Sequence, residues 1–138
     1  MIDDSEDDAY LSTEFFRREN IGPKLVHAFH YKGYLEHCDD HGIDPRTSIV
    51  VLDLNLRSQR GPDLIPLIRQ SRNGDQIVIG ICTGSQDPAD KRISFDAGAE
   101  FFIDKPLNRA ALEQICEQVD RLELTSHAGE ELTIRHAS

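Results

Sequence analysis

The sequence predicts an α/β fold, a mostly parallel sheet wound with helices on both faces, and three observations carry that prediction. Two apolar runs, SIVVLD at 48–53 and QIVIGIC at 76–82, have the unbroken hydrophobicity of strands buried on both faces. Between and after them lie segments of helical character opened by Pro62, Pro88 and Asn108, residues that favour helix starts. The 138 residues, free of internal repeats, suffice for one domain with one core.

In chain order, Met1-Ile2-Asp3-Asp4 precede a helix expected over 5–19. Its apolar residues are Ala9, Tyr10, Leu11, Phe15 and Phe16, with acids first and Arg17-Arg18 last to match the macrodipole; Asn20-Ile21-Gly22-Pro23 stops it. Residues 24–29 (KLVHAF) read as a short strand and 34–40 as a short helix running into His41-Gly42, followed by a turn at Asp44-Pro45-Arg46. After the 48–53 strand, Pro62 opens a helix with Leu64, Ile65, Leu67 and Ile68 as its apolar face. Pro66 is close enough to the start to be tolerated, and Asn73-Gly74 ends the helix. Beyond the 76–82 strand, Asp87 or Ser85 caps a helix through Ala97, with Pro88 in first position and Gly98 as its stop. Residues 100–103 form a further strand. A final helix, capped by Asn108, carries Leu112, Ile115, Cys116, Val119 and Leu122. Residues 125–138 are polar without a clear period and read as a tail or a weakly docked extension.

The 15 Lys and Arg against 25 Asp and Glu give a formal charge of -10, which argues against nucleic acid or an anionic membrane as partner and suits a cationic partner face or a bound metal ion. No apolar run is long enough to span a bilayer and the acidic start is unlike a signal peptide, so the expected location is the cytoplasm. Cys38, Cys82 and Cys116, without a CxxC, read as buried reduced thiols. His37 and His41 stand at i, i+4 beside Cys38, a spacing able to bind Zn²⁺. With no second ligand pair near in sequence they read as a solvated helix face, and His27 and His30 as core-edge residues.

In a doubly wound sheet the ligand site lies beyond the carboxyl ends of the strands. Asp53 ends one of the buried runs, where a charge is costly unless paired, so it is either a cap or a reactive group. The other strand ends offer Asp3-Asp4, Thr83 and Lys105-Pro106. Converging carboxylates call for a cation such as Mg²⁺, and an Asp among them can act as a nucleophile toward phosphorus while Lys105 offsets the developing charge. Taken singly, each has a plainer reading: an acidic helix cap, a strand exit, a turn, and for Phe102 a core position.

The joint spacing of Asp3-Asp4, Asp53, Gly61, Thr83 and Lys105-Pro106 resembles that of response-regulator receiver domains of two-component signalling, over roughly residues 1–122. The resemblance implies a flavodoxin-like five-stranded sheet of order 2-1-3-4-5, with a receiver over 1–123 and a tail over 124–138 too short for an output domain. It implies a stand-alone regulator that is not an enzyme beyond its own phosphotransfer and dephosphorylation, with Asp53 phosphorylated by a histidine kinase or histidine phosphotransfer protein. By the same resemblance Asp4 and Asp53 ligate Mg²⁺ directly, Asp3 through water, and Asn55 through its carbonyl. Thr83 follows the phosphoryl group, Lys105 pairs with it, Phe102 is the rotating aromatic, and the Lys105-Pro106 bond is cis. Gly84 leaves room for phosphoryl access, and Ser85 with Asn55 flanks the water path that sets its lifetime. A downstream protein is the expected partner, and the last helix-strand-helix face is a candidate homodimer surface.

The chain departs from that pattern in two places. Only Met1 and Ile2 precede Asp3, so the central first strand is expected to be truncated, with the natural chain starting upstream or another chain completing the sheet. Arg57 stands where a Pro is common, and it and Arg60 are either docking cations or solvated. Two rival functions follow: a Mg²⁺-dependent phosphohydrolase, disfavoured because Asn55 stands where a general acid is needed, and a pseudo-receiver that binds without phosphorylation.

Overall fold

Three parallel strands carry the sheet: β1 (Ile49–Asp53), β2 (Val78–Thr83) and β3 (Phe101–Asp104), in that spatial order, with Asp53 opposite Cys82 and Thr83 opposite Asp104. The computed structural model describes residues 1–41, 48–57, 59–71, 74–125 and 131–136. The expected turn at Asp44-Pro45-Arg46, the Asn73 helix stop and the His41 side chain lie outside the described residues.

On the far side of β1 one residue, Ile2, bridges both Leu52 and Ala28 in parallel. Its N–H donates to the Val51 carbonyl at 2.7 Å and its carbonyl accepts from Asp53 at 2.9 Å, while Ala28 N–H donates to the Met1 carbonyl at 2.9 Å. The spatial order is thus the expected 2-1-3-4-5, with its first two members reduced to one bridging residue each. Of the expected 24–29 strand, only Ala28 forms a bridge. Next to Met1, a cavity of about 590 Å³ opens between Val26 and β1, lined also by Ile115 and Ile134.

Successive β1 residues point to opposite faces, so Val51 enters one core cluster and Val50 with Leu52 the other. The first cluster packs Phe101, Ile103, Leu112, Ile115 and Val119 under α1 (Glu6–Arg18) and α5 (Arg109–Gln118). The second packs Ile79 and Ile81 against Leu64, Ile65 and Ile68 of α3 (Gly61–Gln70) and Tyr34 of α2 (Tyr31–His41). Gly80 in β2 is required by this packing, since a Cβ there would overlap the Phe101 ring.

Helix starts follow their caps. Ser5 accepts from Asp8 N–H, Asn108 from Ala111 N–H and Asp87 from Ala89 N–H, the last opening α4 (Pro88–Asp96) with Pro88 in place and Gly98 at φ +109° beyond its end. Helix faces needed correction. In α1 the buried stripe runs through Ala9, Ser12 and Phe16, leaving Tyr10 and Leu11 exposed; in α3, Leu64, Ile65 and Ile68 share a face and Leu67 falls outside it. His30 is exposed rather than at the core edge, and its Nδ1 accepts from Gly33 N–H at 2.9 Å in the first turn of α2. Cys82 is buried, whereas Cys38 and Cys116 are half-buried, and all three are free thiols.

The last helix ends at Gln118, earlier than expected, because Val119 turns extended. Leu122 belongs instead to β4 (Leu122–Thr125), which pairs antiparallel with β5 (Thr133–His136). This hairpin is more than a loose tail: Leu132 is buried, donates to the Asn20 carbonyl at 2.8 Å and accepts from Gly22 at 2.7 Å.

Candidate functional site

Parallel strands deliver their carboxyl ends to one rim, so Asp53 closing β1, Thr83 closing β2 and Lys105 following β3 meet there. Asp3 and Asp4 join them because Ile2 is registered beside Leu52. One oxygen each of Asp3, Asp4 and Asp53 lies within 4.8 Å of the others, the one such metal-ligating group among the described residues.

Lys105 Nζ reaches into this group, 3.1 Å from Asp53 Oδ1, 3.0 Å from Asp3 Oδ2 and 2.6 Å from Asp8 Oδ2. Burial opposes the ammonium charge, but the Asp8, Asp3 and Asp53 carboxylates outweigh it and hold Lys105 firmly protonated. For Asp53, burial and then the Asp3 charge push the carboxyl above its ordinary range, and Lys105 only partly offsets them. The Asp53 side chain keeps 11% exposure, so it can still meet a molecule at the rim. Beneath it, burial pushes the Cys82 thiol up to about 12, which leaves it inert.

Asp3 is fully buried. Its Oδ1 accepts from Ser5 N–H at 2.9 Å, whereas Oδ2 has Lys105 as an ion-pair neighbour lying off the hydrogen-bond direction and receives no hydrogen bond. A buried carboxylate oxygen left this way is costly, and three hard oxygen donors with one unsatisfied fit a divalent cation of the Mg²⁺ type. Asp4 Oδ2 accepts from Arg57 N–H at 2.9 Å, and the largely exposed Arg57 side chain keeps its Nε 3.8 Å from the same oxygen.

Gly61 holds the loop after β1 against the site. A Cβ there would overlap the Asp53 carbonyl oxygen, and Gly61 N–H donates to Leu54 at 2.7 Å. Asn55, exposed, pairs with Arg60 in a single antiparallel bridge, so the loop folds back on itself. Arg60 then reaches Asp90 Oδ1 at 2.9 Å, and Ser85 Oγ donates to Asp90 Oδ2 at 2.6 Å, tying the loops after β1 and β2 to α4. Thr83 is buried, its Oγ1 accepting from Ser85 N–H at 3.1 Å, and a Cβ on Gly84 would meet only open space.

Phe102 sits further back, half-buried against the second core cluster. Gln118 brackets it, accepting from its N–H at 2.8 Å and donating to its carbonyl at 3.1 Å, which covers part of the open edge of β3. The Lys105-Pro106 bond is cis. Asp8, Asp90 and Gln118 carry no functional reading in the sequence, and Arg60, expected as a docking or solvated cation, is instead paired with Asp90. Asp8 carries a local signal, but Ser5 followed three places later by an acid reads as a helix cap, and Asp8 N–H does donate to Ser5 Oγ at 3.2 Å.

With this rim in place, the comparison that decides the family is that the response regulator receiver domain model matches residues 1–117. The chain belongs to the response regulator receiver domain family. This receiver is 21% identical over 123 residues to response regulator Rcp1 of Synechocystis sp., covering 87% of this chain and 84% of Rcp1. Its fold is similar to that of the bacteriophytochrome response regulator AtBRR, with a TM-score of 0.71, 20% identity and coverage of 86% of this chain and 89% of that one. It is similar also to the Mn²⁺-bound form of Rcp1, at TM-score 0.61, 20% identity and 85% coverage of each chain. These likenesses establish the flavodoxin-like receiver fold, and membership makes the chain a signalling module of two-component systems. Among its described residues, no helix of the receiver is long and apolar enough to cross a membrane.

Proposed function

We propose that this receiver acts in the cytoplasm as a phosphorylation-dependent response regulator. Asp53 takes a phosphoryl group from a histidine kinase or histidine phosphotransfer protein, and the signal passes to a downstream protein. The observation that supports this most is the Lys105 ammonium, 3.1 Å from Asp53 Oδ1 inside a group of carboxylates suited to a divalent cation.

An Asp53 oxygen attacks phosphorus as the donor's P–N bond breaks; the departing imidazole nitrogen keeps the bonding pair, and an acyl phosphate is left on Asp53. Asp4 and Asp53, with the Asn55 carbonyl and Asp3 through water, would hold Mg²⁺, which when bound neutralises charge on the transferring oxygens. Lys105 holds a phosphoryl oxygen as a point charge, and the Thr83 hydroxyl turns toward the group once it arrives. Clear space above Gly84 suits entry of the donor. Ser85 and Asn55 flank the water that later cleaves the acyl phosphate and restores the carboxylate. Movement of Thr83 and Phe102 would reach the face built from α4, β3 and α5, the proposed output and homodimer surface, where α4 leaves Ile93 and Phe95 exposed.

Incubation with acetyl phosphate and Mg²⁺ tests this reading. One phosphoryl group per chain is expected, with none on Asp53→Asn. Labelling retained in Asp53→Asn overturns the assignment of the acceptor.

A further inference from the structure

We infer that Asp8 is a positioning residue that competes with the phosphoryl group for Lys105; this rests on Asp53 being the acceptor. Of the three carboxylates around Lys105 Nζ, Asp8 is the closest at 2.6 Å and accepts a well-directed hydrogen bond. It also comes from a different place. Asp3 and Asp53 end strands of the sheet, whereas Asp8 lies in the first turn of α1 and outside the Asp3, Asp4 and Asp53 group.

Its exposure differs in the same direction. The Asp8 side chain is 38% exposed, against 0% for Asp3 and 11% for Asp53. Beside the pair, a cavity of about 170 Å³ is lined by Asp8, Leu11, Ser12, Lys105 and Pro106. Asp8 can therefore turn into water or into that space when Lys105 leaves it, while the buried carboxylates have no such freedom. Before phosphorylation Asp8 shares the ammonium with Asp53, holding it at 2.6 Å against 3.1 Å; afterwards a phosphoryl oxygen must win Lys105 from it.

Charge points the same way. Asp3, Asp8 and Asp53 surround a single ammonium and Asp4 stands beside them, an excess of negative charge that one divalent cation does not cancel. Converting the Asp53 carboxylate to an acyl phosphate raises its charge from one to about two, which adds to that excess, and Asp8 is the anion least needed by the cation site. Replacing Asp8 by a neutral isostere turns the field of Lys105 toward Asp53 and favours the phosphorylated form. Because the pair is partly exposed, the gain is about two- to tenfold in rate.

The test compares the wild-type chain, Asp8→Asn and Asp8→Glu under acetyl phosphate and Mg²⁺. In this reaction the new Asp53–phosphorus bond forms as the donor's bridging P–O bond breaks, and acetate leaves with the electron pair. Asp8→Asn is expected to label about two- to tenfold faster, and Asp8→Glu, which restores the charge, at the wild-type rate. In the metal-free protein the slowed proton exchange of the paired Lys105 ammonium, followed by nitrogen-15 NMR, should be lost in Asp8→Asn and kept in Asp8→Glu. In a Lys105→Met background, the advantage of Asp8→Asn should vanish. The inference is overturned if Asp8→Asn labels no faster than wild type, or if its gain persists without Lys105. A wild-type chain that takes no label at Asp53 removes the acceptor reading, and the inference with it.

Discussion

Lys105 Nζ lies 3.0 Å from Asp3 Oδ2, and Asp3 has no exposure to solvent. One ammonium thus stands between a fully buried carboxylate and the candidate acceptor Asp53, so Lys105 is expected to serve stability as well as the proposed chemistry. Lys105→Met leaves Asp3 as a buried charge without its cation and is expected to cost about 3 kcal/mol of unfolding free energy. Urea denaturation measures this, and adding Asp3→Asn to Lys105→Met should recover a substantial part of the loss.

Asp53 has the opposite energetic sign. Burial and the Asp3 charge raise its carboxyl pKa in the folded chain. The stability tied to this shift is present below the unfolded-state pKa and is lost as pH rises through the folded value, so at neutral pH the ionised carboxylate weakens the fold. Asp53→Asn should therefore raise the Tm of the metal-free protein at pH 7, with the advantage disappearing below the ordinary Asp value of about 4. Thermal melts across pH give the comparison.

Gly61 is constrained by contact with Asp53, the proposed acceptor. In Gly61→Ala the added Cβ meets the Asp53 carbonyl oxygen, a backbone atom that cannot swing aside. A loss of about 1–3 kcal/mol is expected, together with slower labelling of Asp53 as the end of β1 shifts. Denaturation and acetyl phosphate labelling of the same variant report the two effects.

At the opposite end of β3, Glu100 accepts from Arg69 at 2.7 Å and from Arg121 at 2.9 Å. Burial pushes its carboxyl up, but the two guanidiniums outweigh burial and hold it below the usual range. A depressed pKa gives stability that is present above the unfolded value and lost as pH falls through the folded one. With Glu100 partly exposed, Glu100→Gln should cost about 1 kcal/mol at pH 7, and the gap to wild type should begin to close as pH falls below the ordinary Glu value of about 4.3.

The sheet was legible because IVVLD and VIGICT are unbroken apolar runs, and the rim because parallel strands must end there on Asp53, Thr83 and Lys105. The shortened first strand was legible from the two residues before Asp3. The hairpin was not, since LELT and TIRH are too short for alternation to stand out, and Leu132 docks on α1's exit through backbone bonds that leave no mark in the side chains. Asp8 escaped for a related reason. Its local role as part of a helix start is complete in itself, while its partner Lys105 lies 97 positions away.

The proposed modification is an acyl phosphate on Asp53. Borohydride trapping after acetyl phosphate treatment, followed by peptide mass spectrometry, reads the modified position directly. Conversion at residue 53 that depends on Mg²⁺ and approaches one per chain is the expected result. Conversion at another carboxylate, or none at any Mg²⁺ concentration, would contradict it.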